Sequence, residues 1–471
     1  MKKLPLGLQT FSKLMQGDYL YIDKTKYIHT LIQGNCYFFA RPRRFGKSLL
    51  CSTIIDIFQG KKELFKGLWI GDNLDHWPVH PVIHIDFTII SYKTPQELRE
   101  SLMRFFSKTA LEHGLPALEF STPGEMLELL MVQLLQKYGQ ENKVVLIIDE
   151  YDKPILEHLH SPSVAEEMRD TLRALYGFIK GLDKHLRFVF ITGVSRFSKT
   201  SVFSGLNQLV DISMDPRYAN LVGLTQAEIA EFCALHLENA AVERQETSEY
   251  IMQQLTYWYN GYRFWAEQRA GQEKLARVYS PISIISFFDK LEFQNYWFGT
   301  GTPTFLIKLI QKNQYPVESF DGLKANLQEL ATFEVDDLPL TTILYQAGYL
   351  TIKEYDKTTD NYVLSFPNHE VEDSLLKRIL MSLANIEAGS TVNIYASSLK
   401  ESLQNHDLKS FISFLLNKSA SIALQQIKDK GYYQKYLSDK RPITLIGINF
   451  SSTERNIAES VIEELNKESL R

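Results

Sequence analysis

Residues 36–50 read CYFFARPRRFGKSLL: a short apolar run, a basic turn, then Gly-Lys-Ser opening a helical pattern. Few chains can accept this order unless a strand runs into a helix N-terminus. A phosphate chain needs backbone N–H groups converging there, a lysine for the β- and γ-phosphates and a hydroxyl for Mg²⁺. Gly46, Lys47 and Ser48 supply the second half of the pattern G-x-x-x-x-G-K-[ST], while Arg41 stands where its first glycine belongs. Gly-Lys-Ser alone is a weak signal; its place at the end of a strand-like run is the context the motif requires. Arg43 and Arg44 flank the turn and either contact phosphates or sit in solvent.

Residues 143–152, KVVLIIDEYD, carry five consecutive apolar residues that end in acids. Such a run suits a central parallel strand buried on both faces. Its C-terminal end then lies where open α/β sheets bind ligands. Asp149 is the natural partner for Mg²⁺, and Glu150 is placed to orient or deprotonate an attacking water. The competing reading makes both acids caps of the following segment. With Gly-Lys-Ser upstream, the phosphate-site reading is preferred.

The first 215 residues alternate apolar runs with helical patterns, as a parallel α/β sheet with helices on both faces does. Strands are expected at 36–40, 81–87, 143–149, 187–193 and 208–213, and helices over 95–116 and 124–138, the second announced by Thr122, Pro123 and Glu125. The stretch 158–166 reads as an exposed loop. From about 223 the pattern turns helical, with a Thr-x-x-Glu capping signal in LTQAEIAEFCALHLE. Residues 303–385 mix helix patterns with strand-like segments at 349–355 and 361–366, compatible with a winged-helix-like module.

Together these segments resemble the predicted AAA-ATPase-like family of bacterial proteins, often fused to a C-terminal PD-(D/E)XK nuclease-like domain. The resemblance rests on YIDKT at 21–25, RPRRFGKSLL at 41–50, VIHIDF at 82–87, LIIDEYDKPI at 146–155 and FITGVSRFSK at 190–199. It continues through WYNGYRF at 258–264, YWFGTGTPTFLIK at 296–308 and YQAGYLTIK at 345–353. The family ordinarily lacks the first P-loop glycine, so Arg41 matches its pattern.

The resemblance implies an AAA-type ATPase domain over 1–215, a helical lid over 216–302, a helical, winged-helix-like region over 303–390 and a nuclease-like remnant over 391–471. It implies ATP and Mg²⁺ as cofactors, with Arg43, Arg44, Phe45, Gly46, Lys47, Ser48, Leu49, Asp149 and Thr192 at the nucleotide, and Ser48 and Asp149 on the metal. Thr192 or Ser195 would sense the γ-phosphate, Glu150 would hold the water, and Arg196 would stabilise developing phosphoryl charge. Arg263 is a further candidate sensor. Asp23 reads as a helix cap, and the resemblance also places it near the base or ribose. Tyr259, Tyr262 and Phe264 are expected to pack between subdomains. His84 and Asp86 share a strand face, where hydrogen bonding within the strand is their expected role.

A PD-(D/E)XK nuclease needs an Asp on one strand and an (Asp/Glu)-x-Lys on the next to hold its metal and water. Residues 390–471 offer no such pair; Asp429-Lys430 stands in the wrong order and place. The segment QQIKDKGYYQKY at 425–436, with Gln426 and Tyr432, resembles the helix that follows the catalytic strands, and ITLIGINF at 443–450 reads as a strand. The tail thus reads as an internally shortened nuclease domain, and no cleavage of nucleic acid is expected.

Composition narrows the setting. A chain of 471 residues supports two to four domains. No apolar stretch reaches the length of a membrane span, and MKKLPLGLQTF lacks a signal-peptide core. Cys36, Cys51 and Cys233 show neither disulfide nor metal spacing, so a reducing cytoplasm is expected. A net charge of −5 argues against indiscriminate nucleic-acid binding. Three functions stay open: a slow or partner-regulated ATPase, a non-hydrolysing ATP-dependent switch or scaffold acting on a protein partner, and a nucleic-acid-binding protein with an inactive nuclease-like tail.

Overall fold

All six residues of Val144–Asp149 are buried, which is why this run is nearly pure Val, Leu and Ile: both faces are covered. It is β3 of a five-stranded parallel sheet, with β1 Cys36–Ala40, β2 Val82–Asp86, β4 Leu186–Gly193 and β5 Val210–Asp211. The order is β2-β3-β4-β1-β5, so β4 lies between the loop strand β1 and the acidic strand β3. The protein is therefore an α/β chain built on a P-loop sheet. The computed structural model describes residues 1–197, 202–265, 277–297, 306–307, 309–310, 320–331, 339–383, 420–429, 443–451 and 456–465.

Helices form where their caps stand. Thr94 and Thr122 accept the backbone N–H groups of Glu97 and Glu125, each with proline at the first helical position, opening Pro95–Glu112 and Pro123–Tyr138. Proline also opens the long helix Pro162–Gly181. That helix starts inside the stretch read from sequence as a loop, because Pro162 pre-sets the helical φ rather than ending a helix. The last strand is shorter than expected: only Val210–Asp211 pairs with β1.

The chain divides into two units, Met1–Asp373 and Ser374–Arg471. Within the first, Thr225 and Glu228 form the reciprocal capping box that the sequence announces. The helices Gln226–Phe232, Ala234–Arg244, Ser248–Tyr259 and Pro281–Lys290 bury an apolar cluster around Ile251, Leu255, Tyr259 and Phe287. Further on come the strand Lys324–Ala325, the helices Leu327–Ala331 and Leu340–Ala347, then the hairpin Thr351–Asp356 and Asn361–Ser365. The first short strand pairs with the last, closing an antiparallel three-stranded sheet. In the second unit the described residues are the helix Ala420–Asp429 and an antiparallel pair, Ile443–Ser451 with Asn456–Leu465. The strand expected at 443–450 is there; most of the segment before the helix lies outside the described residues.

Candidate functional site

β1 ends at Ala40, and the chain turns sharply before the helix Lys47–Phe58 begins. The turn needs left-handed backbone at Arg44 (φ 65°) and Gly46 (φ 91°). A Cβ on Gly46 would meet nothing within 4 Å, so glycine is needed there for its backbone conformation and not for packing. Arg41 is buried and points away from the loop. Its guanidinium donates to the carbonyls of Ala40 (2.9 Å), Ser213 (2.6 Å) and Tyr218 (3.2 Å), and lies over the rings of Phe39 and Phe264. Phe45 packs edge-on against Tyr262 and Phe264.

Lys47 is buried. Its Nζ donates to the carbonyls of Arg41 (3.1 Å) and Pro42 (3.2 Å) and pairs with Glu150 Oε1 at 3.3 Å. Glu150 itself holds a left-handed backbone (φ 53°). In a residue with a Cβ that conformation costs on the order of 1 kcal/mol, the kind of local strain that clusters at working sites. The Ser48 hydroxyl lies near enough to the Asp149 carboxylate to favour its charged form, but burial outweighs it. Burial first, then the neighbouring Glu150, pushes Asp149 up to about 6. Asp149 Oδ1 and Thr192 Oγ1 are both buried without a hydrogen-bond partner. Their strands pair in register up to Ile148 and Ile191, so the two residues stand one step further on, side by side on adjacent strands.

Asp149, with Ser48, Lys47 and Glu150 near it, and Thr192 on the next strand thus leave two oxygens that the protein alone does not satisfy, although neither Asp149 nor Thr192 lines the cavity. Among the described residues no three His, Cys, Asp or Glu side chains gather into a metal centre. A divalent cation here would take Ser48, Asp149 and oxygens from a phosphate chain, the sparse protein ligation that Mg²⁺ favours. The donor set fits it.

The loop opens into a cavity of about 520 Å³, within the range of small-molecule sites. Arg43, Arg44, Gly46, Lys47, Ser48, Leu49 and Glu150 line one end; Arg43 and Arg44 are exposed. Leu8, Leu20, Tyr21 and Ile22 from the N-terminal segment, with Leu224, Ile282 and Phe288 from the helical region, make an apolar wall. Lys24 also lines it, buried and clamped to Glu228 by bonds of 2.6 and 2.7 Å.

Other expected residues lie elsewhere. The Arg196 guanidinium pairs with Asp211 at 2.7 and 3.0 Å and does not line the cavity. Its carboxylate partner here is supplied by β5. Arg263 donates to the carbonyl of Lys353 (3.0 Å), away from the cavity. Asp23 spends its oxygens on Thr25 and on the N–H of Trp69, so it is a cap, while its neighbours Tyr21, Ile22 and Lys24 reach the cavity. Asp86 accepts from Thr88. Ser195 is held through its backbone.

Asp152 completes the run Asp149-Glu150-Tyr151-Asp152. It is buried and accepts the N–H groups of Val194 (3.1 Å) and Ser195 (2.6 Å), fixing the turn after Thr192 to the end of β3. Tyr151 donates its hydroxyl to the Ser195 carbonyl.

The family model for predicted AAA-ATPases matches residues 5–203. A protein of Azotobacter chroococcum mcd 1, described as an uncharacterized protein in the vnfD 5′ region, is 34% identical over 534 residues, covering 98% of this chain and 99% of that protein. Among solved structures, the Aeropyrum pernix ORC2 protein in ADPNP–ADP complexes matches 78% of this chain and 98% of that chain, at 10% identity and a TM-score of 0.29.

Proposed function

Since this chain belongs to the predicted AAA-ATPase family, we propose that its cavity binds ATP with Mg²⁺ and that it hydrolyses the β–γ phosphoanhydride slowly or under the control of a partner. The observation that carries this reading is the pair of buried, unpartnered oxygens, Asp149 Oδ1 and Thr192 Oγ1, beside Lys47 and Ser48. Lys47 holds the β- and γ-phosphates, exchanging Glu150 and the two loop carbonyls for them. The N–H groups at the start of Lys47–Phe58 add the favourable end of the helix dipole. Ser48 and Asp149 hold Mg²⁺, which when bound neutralises charge on the phosphate oxygens. Glu150, released from Lys47, orients a water and takes its proton. Thr192 donates its hydroxyl to the γ-phosphate.

The position of Arg196 favours regulated turnover. Arg43 and Arg44 are the arginines that line the cavity among the described residues, and both sit in the exposed turn. A cation for the developing phosphoryl charge would then come from a partner, as an arginine finger in trans does. Without such a partner the same site works as an ATP-dependent switch.

We extend the reading to the chain's organisation: an ATPase domain over 1–215, a lid over 216–302, a winged-helix-like region over 303–390 and an inactive nuclease-like remnant over 391–471. The alignment with the Azotobacter protein spans more residues than this chain contains, so that relative carries residues this chain lacks, which supports an internally shortened chain. The test is phosphate release from ATP and GTP with Mg²⁺ by wild type and Glu150→Gln. The variant is expected to bind ATP but lose most turnover, because an amide keeps the shape and is a far poorer base. Undiminished release by the variant would remove Glu150 from the mechanism.

A further inference from the structure

The motif YQAGYLTIK at 345–353 has no part in the site as described, yet its residues lie against the back of it. Gln346, on the helix Leu340–Ala347, is buried. Its Oε1 accepts the backbone N–H of Arg196 at 2.7 Å, across 150 residues of sequence. Its Nε2 donates to the carbonyls of Leu330 and Ala331 at the end of the preceding helix, each at 3.2 Å. The turn after Thr192 therefore presents three consecutive N–H groups, and side chains take all of them: Asp152 those of Val194 and Ser195, Gln346 that of Arg196. One clamp comes from the end of β3, inside the nucleotide site. The other comes from the winged-helix-like region.

Trp297, before this region, and Gly348, within it, also touch the first half of the P-loop. Trp297 donates its indole N–H to the carbonyl of Arg43 at 3.0 Å. Gly348 (φ 90°) lies so close to Pro42 that a Cβ there would stand 2.7 Å from the proline ring. Arg41 and Pro42 are the residues whose carbonyls hold Lys47.

We infer that Gln346 is a positioning residue for the nucleotide site: it fixes the turn that follows Thr192 at the end of β4 and so sets the discrimination between ATP and ADP. This rests on the ATP-binding reading, in which Thr192 meets the γ-phosphate. The turn is held by a few backbone hydrogen bonds, and leaving one buried N–H unpaired costs more than the bond itself contributes. A turn released at Arg196 loosens the end of β4, where Thr192 is the last residue but one, and so loosens the placement of its hydroxyl. ATP, which has the γ-phosphate, loses a contact; ADP does not.

The test is isothermal titration of the full chain with Mg·ATP and with Mg·ADP, alongside thermal melting, for wild type, Gln346→Met and Gln346→Glu. Methionine keeps length and volume and lacks the acceptor; glutamate keeps the acceptor for Arg196. Gln346→Met is expected to weaken ATP about 5–10-fold, the worth of one such bond, and to change ADP less than twofold. Gln346→Glu is expected to restore the wild-type ratio. If the methionine variant does not melt cooperatively, Gln346→Asn withdraws the acceptor by one methylene and carries the same expectation. An unchanged ATP/ADP ratio, or an equal loss for both nucleotides, overturns the inference and makes Gln346 a packing residue. Wild type that binds neither nucleotide overturns the ATP-binding reading, and the inference with it.

Discussion

Arg41 occupies the position where a glycine opens the general P-loop motif, and its side chain explains how the loop closes without one. The guanidinium lies over the rings of Phe39 and Phe264 and satisfies the backbone carbonyls of Ala40, Ser213 and Tyr218. Burial pulls its pKa down to about 9, a measure of how dry that place is. Restoring the general motif with Arg41→Gly should therefore damage the protein. It strips charge-assisted bonds from three carbonyls, with an expected loss of at least about 3 kcal/mol in denaturant unfolding; equal stability would refute the bracing role. Glu370 makes a second residue-scale case. It is buried and accepts from Ser283 and the N–H of Trp297, and burial lifts its carboxyl from 4.5 to about 7. The folded state keeps this proton up to about pH 7, whereas the unfolded chain releases it near 4.5. Stability must then fall as pH rises through that window, by on the order of 2–3 kcal/mol. Gln at this position should flatten that slope and melt higher than wild type above pH 7. A wild-type melting temperature that rises across the same window would contradict the assignment. Neither residue announces its role in the sequence: a motif shows which position departs from a pattern, and only the fold shows where the side chain goes.

At the scale of elements the sequence was most legible where a single local cause decides. β1 is Cys36–Ala40 as its apolar run indicates, and the capping box at Thr225 and Glu228 stands where Thr-x-x-Glu placed it. The Gly-Lys-Ser turn and the buried acidic strand meet because a parallel sheet brings strand ends together at one edge. Legibility failed where distant elements compete for one side chain. Arg196 follows a site strand closely enough to suggest phosphate, but Asp211 on β5 takes it. Asp23 shows the same effect: it caps Thr25–Leu31 through Thr25 and also receives the N–H of Trp69 at the start of Trp69–Asn73. Asp23→Ala should cost about 2 kcal/mol, roughly one cap at each helix, while nucleotide affinity stays within about twofold, a small fraction of one bond's worth. A large loss of affinity with little loss of stability would return Asp23 to the nucleotide.

For the whole molecule, the account joins an ATP site in Met1–Asp373 to a second unit, Ser374–Arg471, that carries no proposed chemistry of its own. No helix among the described residues is long and apolar enough to cross a membrane. On the reading of 391–471 as an inactive nuclease-like remnant, the purified chain is expected not to cleave single- or double-stranded DNA or RNA with Mg²⁺ or Mn²⁺, because metal-assisted hydrolysis needs carboxylates placed on adjacent strands. Cleavage that copurifies with the protein and vanishes on C-terminal truncation would contradict the reading of the tail. The central claim is that Gly46, Lys47 and Ser48 bind a triphosphate, and titration calorimetry of Mg·ATP into wild type and Lys47→Ala tests it most directly. The account predicts saturable binding to wild type and a loss of at least about tenfold in the variant, the value of one charge-assisted phosphate contact, with the variant still melting cooperatively. Equal affinity for ATP in both proteins would contradict it.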